Sequence, residues 1–106
     1  FMEDLGKRLV ALNENDPWGN LCLMRVALAA RDDDRVLELV QRGLDAGSPE
    51  TAGEFWAARA EVYVVRRRWA DAAEACQQAL NADRRLALRV LPLKRMADIG
   101  LRDGLE

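Results

Sequence analysis

The sequence contains no histidine, and with that residue go the commonest general base and the commonest metal ligand of proteins. Most hydrolase schemes and most zinc sites are excluded on that ground. Cysteine is almost as scarce. Cys22 and Cys76 stand far apart inside apolar helical patterns, where a thiol serves as a small buried hydrophobe and not as half of a disulfide or a reactive centre. Only three prolines are present, aromatic residues make up 6%, and threonine and isoleucine are sparse, so strands have little to be built from. No window approaches the roughly 18 uninterrupted apolar residues that a membrane helix requires. No secretory signal pattern is visible either. An excess of one charge is missing too: 16 basic residues against 18 acidic leave a formal charge of -2, so no global field draws the chain to nucleic acid or to anionic lipid.

What remains is helical material. Half of the 106 residues are apolar, enough for one modest core, and the leading residues are Ala, Leu, Arg, Asp and Glu, whose side chains lose little freedom in a helix. Residues 1–15 place Leu5, Leu9 and Leu12 at helical spacing. Asn13 to Asp16 stop that segment, and Asp16 with Pro17 starts a second helix reaching about Ala30. Arg31 to Asp34 break the pattern, and an aspartate there caps a third helix from about Asp34 to Ala46. Gly47-Ser48-Pro49 is a stop signal, followed by a fourth helix from about Glu50 to Arg66 and a fifth from about Trp69 to Ala82. The last apolar segment, 85–101, holds Pro92, which lacks an amide donor and is expected to kink or split it.

The chain also repeats itself. A shift of 36 positions lays Glu38 on Glu74, Gln41 on Gln77, Leu44 on Leu80 and Ala46 on Ala82. The same shift sets Val36 on Ala72, Val40 on Cys76, Val26 on Val62 and Ala27 on Tyr63, and a period near this length marks stacked helix pairs. Trp56, Ala60, Tyr63, Trp69, Ala72, Cys76 and Ala79-Leu80 resemble the tetratricopeptide repeat, in which aromatics and small residues interlock two helices. The departures are Arg59 where the family usually has leucine, Arg66 to Arg68 at the turn, and Arg84 at the closing proline. The resemblance implies an all-α, right-handed superhelical array of antiparallel helix pairs, about six helices in a single domain. Its parts are a half-repeat helix at 1–15, a looser repeat at 17–48, the best-matching repeat at 50–83 and a capping helix at 85–101.

The same resemblance implies a function. Successive first helices of such arrays line a concave face that grips a peptide or protein, which assigns partner contacts to Leu21, Arg25, Leu28, Glu54, Ala57, Glu61 and Val64. The Lys and Asn pattern of repeats that clamp a terminal carboxylate is absent, since Ala57 and Glu61 occupy those helix positions. Neither catalytic residues nor a cofactor nor a metal is expected. Arg66 to Arg68 complement a helix end as solvated cations, and Asp32 to Asp34 lack the alternating oxygens of a calcium loop. Of the tryptophans, Trp18 is the one expected at the surface. The expected role is a protein-binding scaffold within a larger assembly. The Ala- and Arg-rich usage points to a bacterium with a GC-rich genome, and a secretion or envelope protein is the expected setting. Two alternatives stand beside it: self-association through the apolar segment Leu86, Leu88, Val90, Leu91 and Leu93, or a helical regulatory appendage of an enzyme. The start at Phe1-Met2 is that expected of an excised fragment, which leaves the cytoplasm and the periplasm both open.

Overall fold

The computed structural model describes Lys7 and residues 16–103. The predicted helix at 1–15 therefore lies outside the described residues, Lys7 apart. Five helices follow: α1 (Pro17–Ala29), α2 (Asp33–Asp45), α3 (Pro49–Val65), α4 (Trp69–Ala82) and, after a 3-10 turn at Arg84–Leu86, α5 (Ala87–Asp103). Among the described residues there is no strand.

Each start and stop has a local cause. At α1 the Asp16 carboxylate accepts the Gly19 amide at 2.9 Å, and Pro17 opens the helix where its missing amide costs nothing. Asp32 accepts from the Arg35 amide at 3.4 Å in the same position ahead of α2, with Asp33 and Asp34 in the first turn facing the positive end of the helix dipole. The chain leaves α2 at Gly47, whose φ of 73° is open to glycine without cost, and Pro49 then begins α3.

The other two helix ends show the repeat in atomic form. After α1 the Asp32 amide donates to the Ala27 carbonyl at 2.9 Å and the Arg31 amide to Leu28 at 3.1 Å. After α3 the Arg68 amide donates to the Tyr63 carbonyl at 2.9 Å and the Arg67 amide to Val64 at 3.1 Å. Both are the paired bonds that close a helix through one left-handed residue, here Arg31 with φ 58° and Arg67 with φ 60°. The shift of 36 positions thus carries one turn onto the other. It holds for side chains as well: Gln41 donates to Asp45 at 2.9 Å, and Gln77 donates to Asn81 at 3.0 Å.

Consecutive helices pack on one another, and the odd-numbered helices also touch along their own row, α1 on α3 and α3 on α5; α2 and α4 do not meet. Leu21, Met24, Val36, Leu39, Val40, Phe55 and Val62 close a core between α1, α2 and α3. Ala57, Ala60, Ala75, Cys76, Ala79, Leu86 and Val90 close a second between α3, α4 and α5, and Val64, Trp69, Ala72 and Ala97 extend it. The pairs α3 and α4 run antiparallel, because Val64 at the end of α3 meets Trp69 at the start of α4 while Gly53 at the start of α3 lies against Asp83 just past the end of α4.

α5 runs through Pro92 as a single helix, so the expected split at that residue does not occur. Pro92 deprives the Leu88 carbonyl of its helical donor, and both residues lie on the solvent side, where water can take the amide's place. The discontinuity sits upstream instead, in the 3-10 turn whose Arg85 amide is held by the Asp83 carboxylate at 2.9 Å.

Close approach between α2 and α3 depends on Gly43. A side chain there would overlap the Phe55 ring, and Phe55 is fully buried. Gly43→Ala is expected to lower the stability by about 1–3 kcal/mol, read as a lower urea midpoint at unchanged slope. Arg67→Gly acts in the opposite direction: it releases a left-handed arginine whose conformation costs about 1 kcal/mol, and the midpoint should rise.

Candidate interaction surface

The seven residues assigned to a partner-binding face do not share one environment. Leu21, Ala57 and Val64 are buried, at 4%, 4% and 7% exposure. Leu21 belongs to the α1–α2–α3 core, Ala57 lies among Ala75, Cys76 and Ala79, and Val64 lies against Trp69 and Ala72. These three hold helix to helix. Leu28, Glu54 and Glu61 are half-buried, and Arg25 is exposed.

The polar members are brought together across helices. Glu54 of α3 accepts from the Arg89 guanidinium of α5, with both carboxylate oxygens 2.9 Å from Nη1, and lies 3.8 Å from Nη2 of Arg25 on α1. One carboxylate therefore ties the three odd-numbered helices on a single surface. Further along, Arg31 Nη1 stands 3.9 Å from Glu61 and its Nη2 3.5 Å from Asp33. Arg31 and Arg89 were not among the expected residues. The signal for Arg89 was its opposite charge 35 positions after Glu54, one repeat along.

A second row of polar bridges joins each even-numbered helix to the helix after it. Arg59 donates to the Gln41 amide oxygen at 2.8 Å, and Lys94 donates to that of Gln77 at 3.1 Å. Arg59 also stacks over the Trp56 ring at 4.9 Å, a cation–π contact.

The arginine run at 66–68 is largely occupied within the chain. Arg66 reaches Asp34 at 2.6 Å, and Arg68 reaches Asp71 at 2.6 Å while stacking over Tyr63. Trp18 is exposed at 53%, whereas Trp69 is buried and Trp56 half-buried. Among the described residues no group of three His, Cys, Asp or Glu could hold a metal ion, and no helix is long and apolar enough to cross a membrane.

No family model, no curated protein and no solved structure matches this chain.

The terminal segment expected to mediate self-association divides between two sides of its helix. Leu86 and Val90 are buried and Leu93 packs partly against them, while Leu88 and Leu91 are exposed. Met96 and Ile99 join the exposed pair, and together with Pro92 and Arg95 they line an open apolar groove of about 460 Å³ along α5.

Both cysteines are free thiols, Cys22 half-buried and Cys76 fully buried. Burial pushes the Cys76 thiol from about 9 up to about 11, with Lys94 opposing the rise and Asp98 adding to it. The neutral thiol is the form the core accepts, so its contribution to stability is complete below pH 9 and is lost as the pH rises from there towards 11. Urea midpoints measured across that interval should fall, and Cys76→Ala should flatten the fall. In the folded protein at pH 8, iodoacetamide should label Cys76 only at the rate of unfolding.

Proposed function

We propose that this chain is a non-catalytic helical scaffold of the tetratricopeptide kind, which holds a partner polypeptide on the face shared by α1, α3 and α5 as one module of a larger assembly. The observation that carries this reading is the contact of the odd-numbered helices in a row while α2 and α4 stay apart. A row in contact is shorter than a row held apart, so the array curves with the odd helices on the inside. That is the side on which Arg25, Glu54 and Arg89 meet.

The chemistry of the face favours a polypeptide with charges of both signs. Exposed ion pairs contribute at most ~1 kcal/mol each, so a partner's carboxylate can take Arg25 or Arg89 from Glu54, and a partner's lysine can take Glu54 or Glu61, with little loss of fold stability. The separations of 3.8 Å at Arg25–Glu54 and 3.9 Å at Arg31–Glu61 are loose already. An empty cleft of hydrogen-bonding groups would need filling with water; this face is instead satisfied until it is exchanged.

The reading makes a charge-reversal test direct. The double variant Arg25→Glu, Glu61→Lys should keep its helical circular dichroism and a midpoint within about 1 kcal/mol of the parent, yet lose the partner that the parent captures from the native cell extract. An unchanged set of captured proteins would refute binding at this face.

A further inference from the structure

Among the described residues α5 is built like α3 but is covered on one side only. Moving 35 positions along the chain, the buried residues Thr51, Phe55 and Val62 of α3 fall on Leu86, Val90 and Ala97, all buried against the preceding helices. The second buried side of α3 is Gly53, Ala57, Ala60 and Val64, the side that α4 covers. The same shift carries those four onto Leu88, Pro92, Arg95 and Ile99, every one of them exposed, with Leu88 at 90%. The groove along α5 is therefore the seat that a helix in the position of α4 would fill.

Charge states what kind of helix belongs there. α4 with its two cap residues, 68–83, brings Asp71, Glu74 and Asp83 against the single Arg68, and α2 with its cap brings Asp32, Asp33, Asp34, Glu38 and Asp45 against Arg35 and Arg42. Both helices that occupy this position in the chain are acidic. α5 is the reverse: apart from Arg89, which Glu54 holds, Lys94, Arg95 and Arg102 outnumber Asp98 and Asp103, and Arg95 stands within the groove itself. Size agrees with charge. Large side chains at Leu88, Leu91, Met96 and Ile99 leave room only for small ones opposite, the pattern that Ala72, Ala75 and Ala79 give α4. A second copy of α5 would set cation against cation and bulk against bulk.

We propose that the open side of α5 docks an acidic amphipathic helix of a partner polypeptide, seated antiparallel to α5 through a seam of small residues, as α4 is seated on α3. This inference is independent of the face made by Arg25, Glu54 and Glu61.

The probe is a labelled peptide with the sequence of residues 68–83, carrying Cys76→Ala and held helical by a hydrocarbon staple across positions 77 and 81, both of them exposed in α4. It is titrated by fluorescence anisotropy against the whole 106-residue chain, with sedimentation velocity run alongside. Saturable binding with a dissociation constant on the order of 100 μM is expected. It should weaken about tenfold when the peptide carries Asp71→Lys and Glu74→Lys, and it should vanish when the chain carries Leu91→Glu at unchanged helicity and melting temperature. Three outcomes would overturn the proposal: no saturation at millimolar peptide, binding that Leu91→Glu leaves intact, or a chain mass that doubles with concentration and returns to that of a monomer in Leu91→Glu, which would give the groove to a second copy.

Discussion

Helix α3 has to bury two sides at once, and the rest of the structure follows from how it does so. Towards α2 it offers Phe55, Ala58 and Val62; towards α4 it offers Gly53, Ala57, Ala60 and Val64. A helix enclosed in this way cannot carry large side chains all round, because backbones packed at close range leave room for bulk on one member of each facing pair. On the α2 side the bulk is the Phe55 ring, and the small member is Gly43, where even a methyl group would collide. On the α4 side both members are small, and Ala57 and Ala60 meet Ala75, Cys76 and Ala79. The larger groups lie at the ends of that seam, Trp69 and Val64 at one and Leu86 at the other. Once α3 is placed, α2 and α4 have one position each, and α1 and α5 close the two outer cores.

Much of this was legible in the residues. Alanines at every third or fourth position of the fourth and fifth predicted helices marked the seam, and Asp16, the aspartates at 32–34 and Gly47 marked boundaries because caps and left-handed stops act through local geometry. The repeat of 36 positions was legible from paired identities such as Gln41 and Gln77, and it reappears in their hydrogen bonds. The rotation of each helix about its axis was harder. α1 and α3 carry apolar residues on more than one side, so spacing alone does not say which of them turn outward. Leu21, Ala57 and Val64 fit an open face by spacing, yet packing between helices buries all three. The left-handed turns escaped notice as well, since arginine at Arg31 and Arg67 gives no sign of the conformation that glycine would advertise.

Pro92 shows how a sound local rule can be overruled by placement. A proline within a helix leaves one carbonyl without a donor, and the cost is large when that carbonyl is buried. Here it belongs to Leu88, which is almost fully exposed, and the helix continues. The rotation that exposes Leu88 also brings Leu91, Met96 and Ile99 to solvent, and the uninterrupted helix keeps the four along one groove. A break at Pro92 would have divided the groove in two.

The two exposed faces differ in a way that bears on how each would work. On the face of Arg25, Glu54 and Arg89 the charges already satisfy one another, so binding there exchanges one weak set of pairs for another. The gain lies in selectivity and encounter rate more than in affinity. In the groove along α5 the exposed groups are apolar apart from Arg95, and each square ångström of apolar surface covered contributes about 25 cal/mol without a competing partner to displace. Affinity is therefore more readily obtained along α5, and specificity along the charged face. A polypeptide that engaged both would combine the two, because Arg89 belongs to the same helix as Leu88 and Leu91 and ties the charged face to the apolar groove within a single turn.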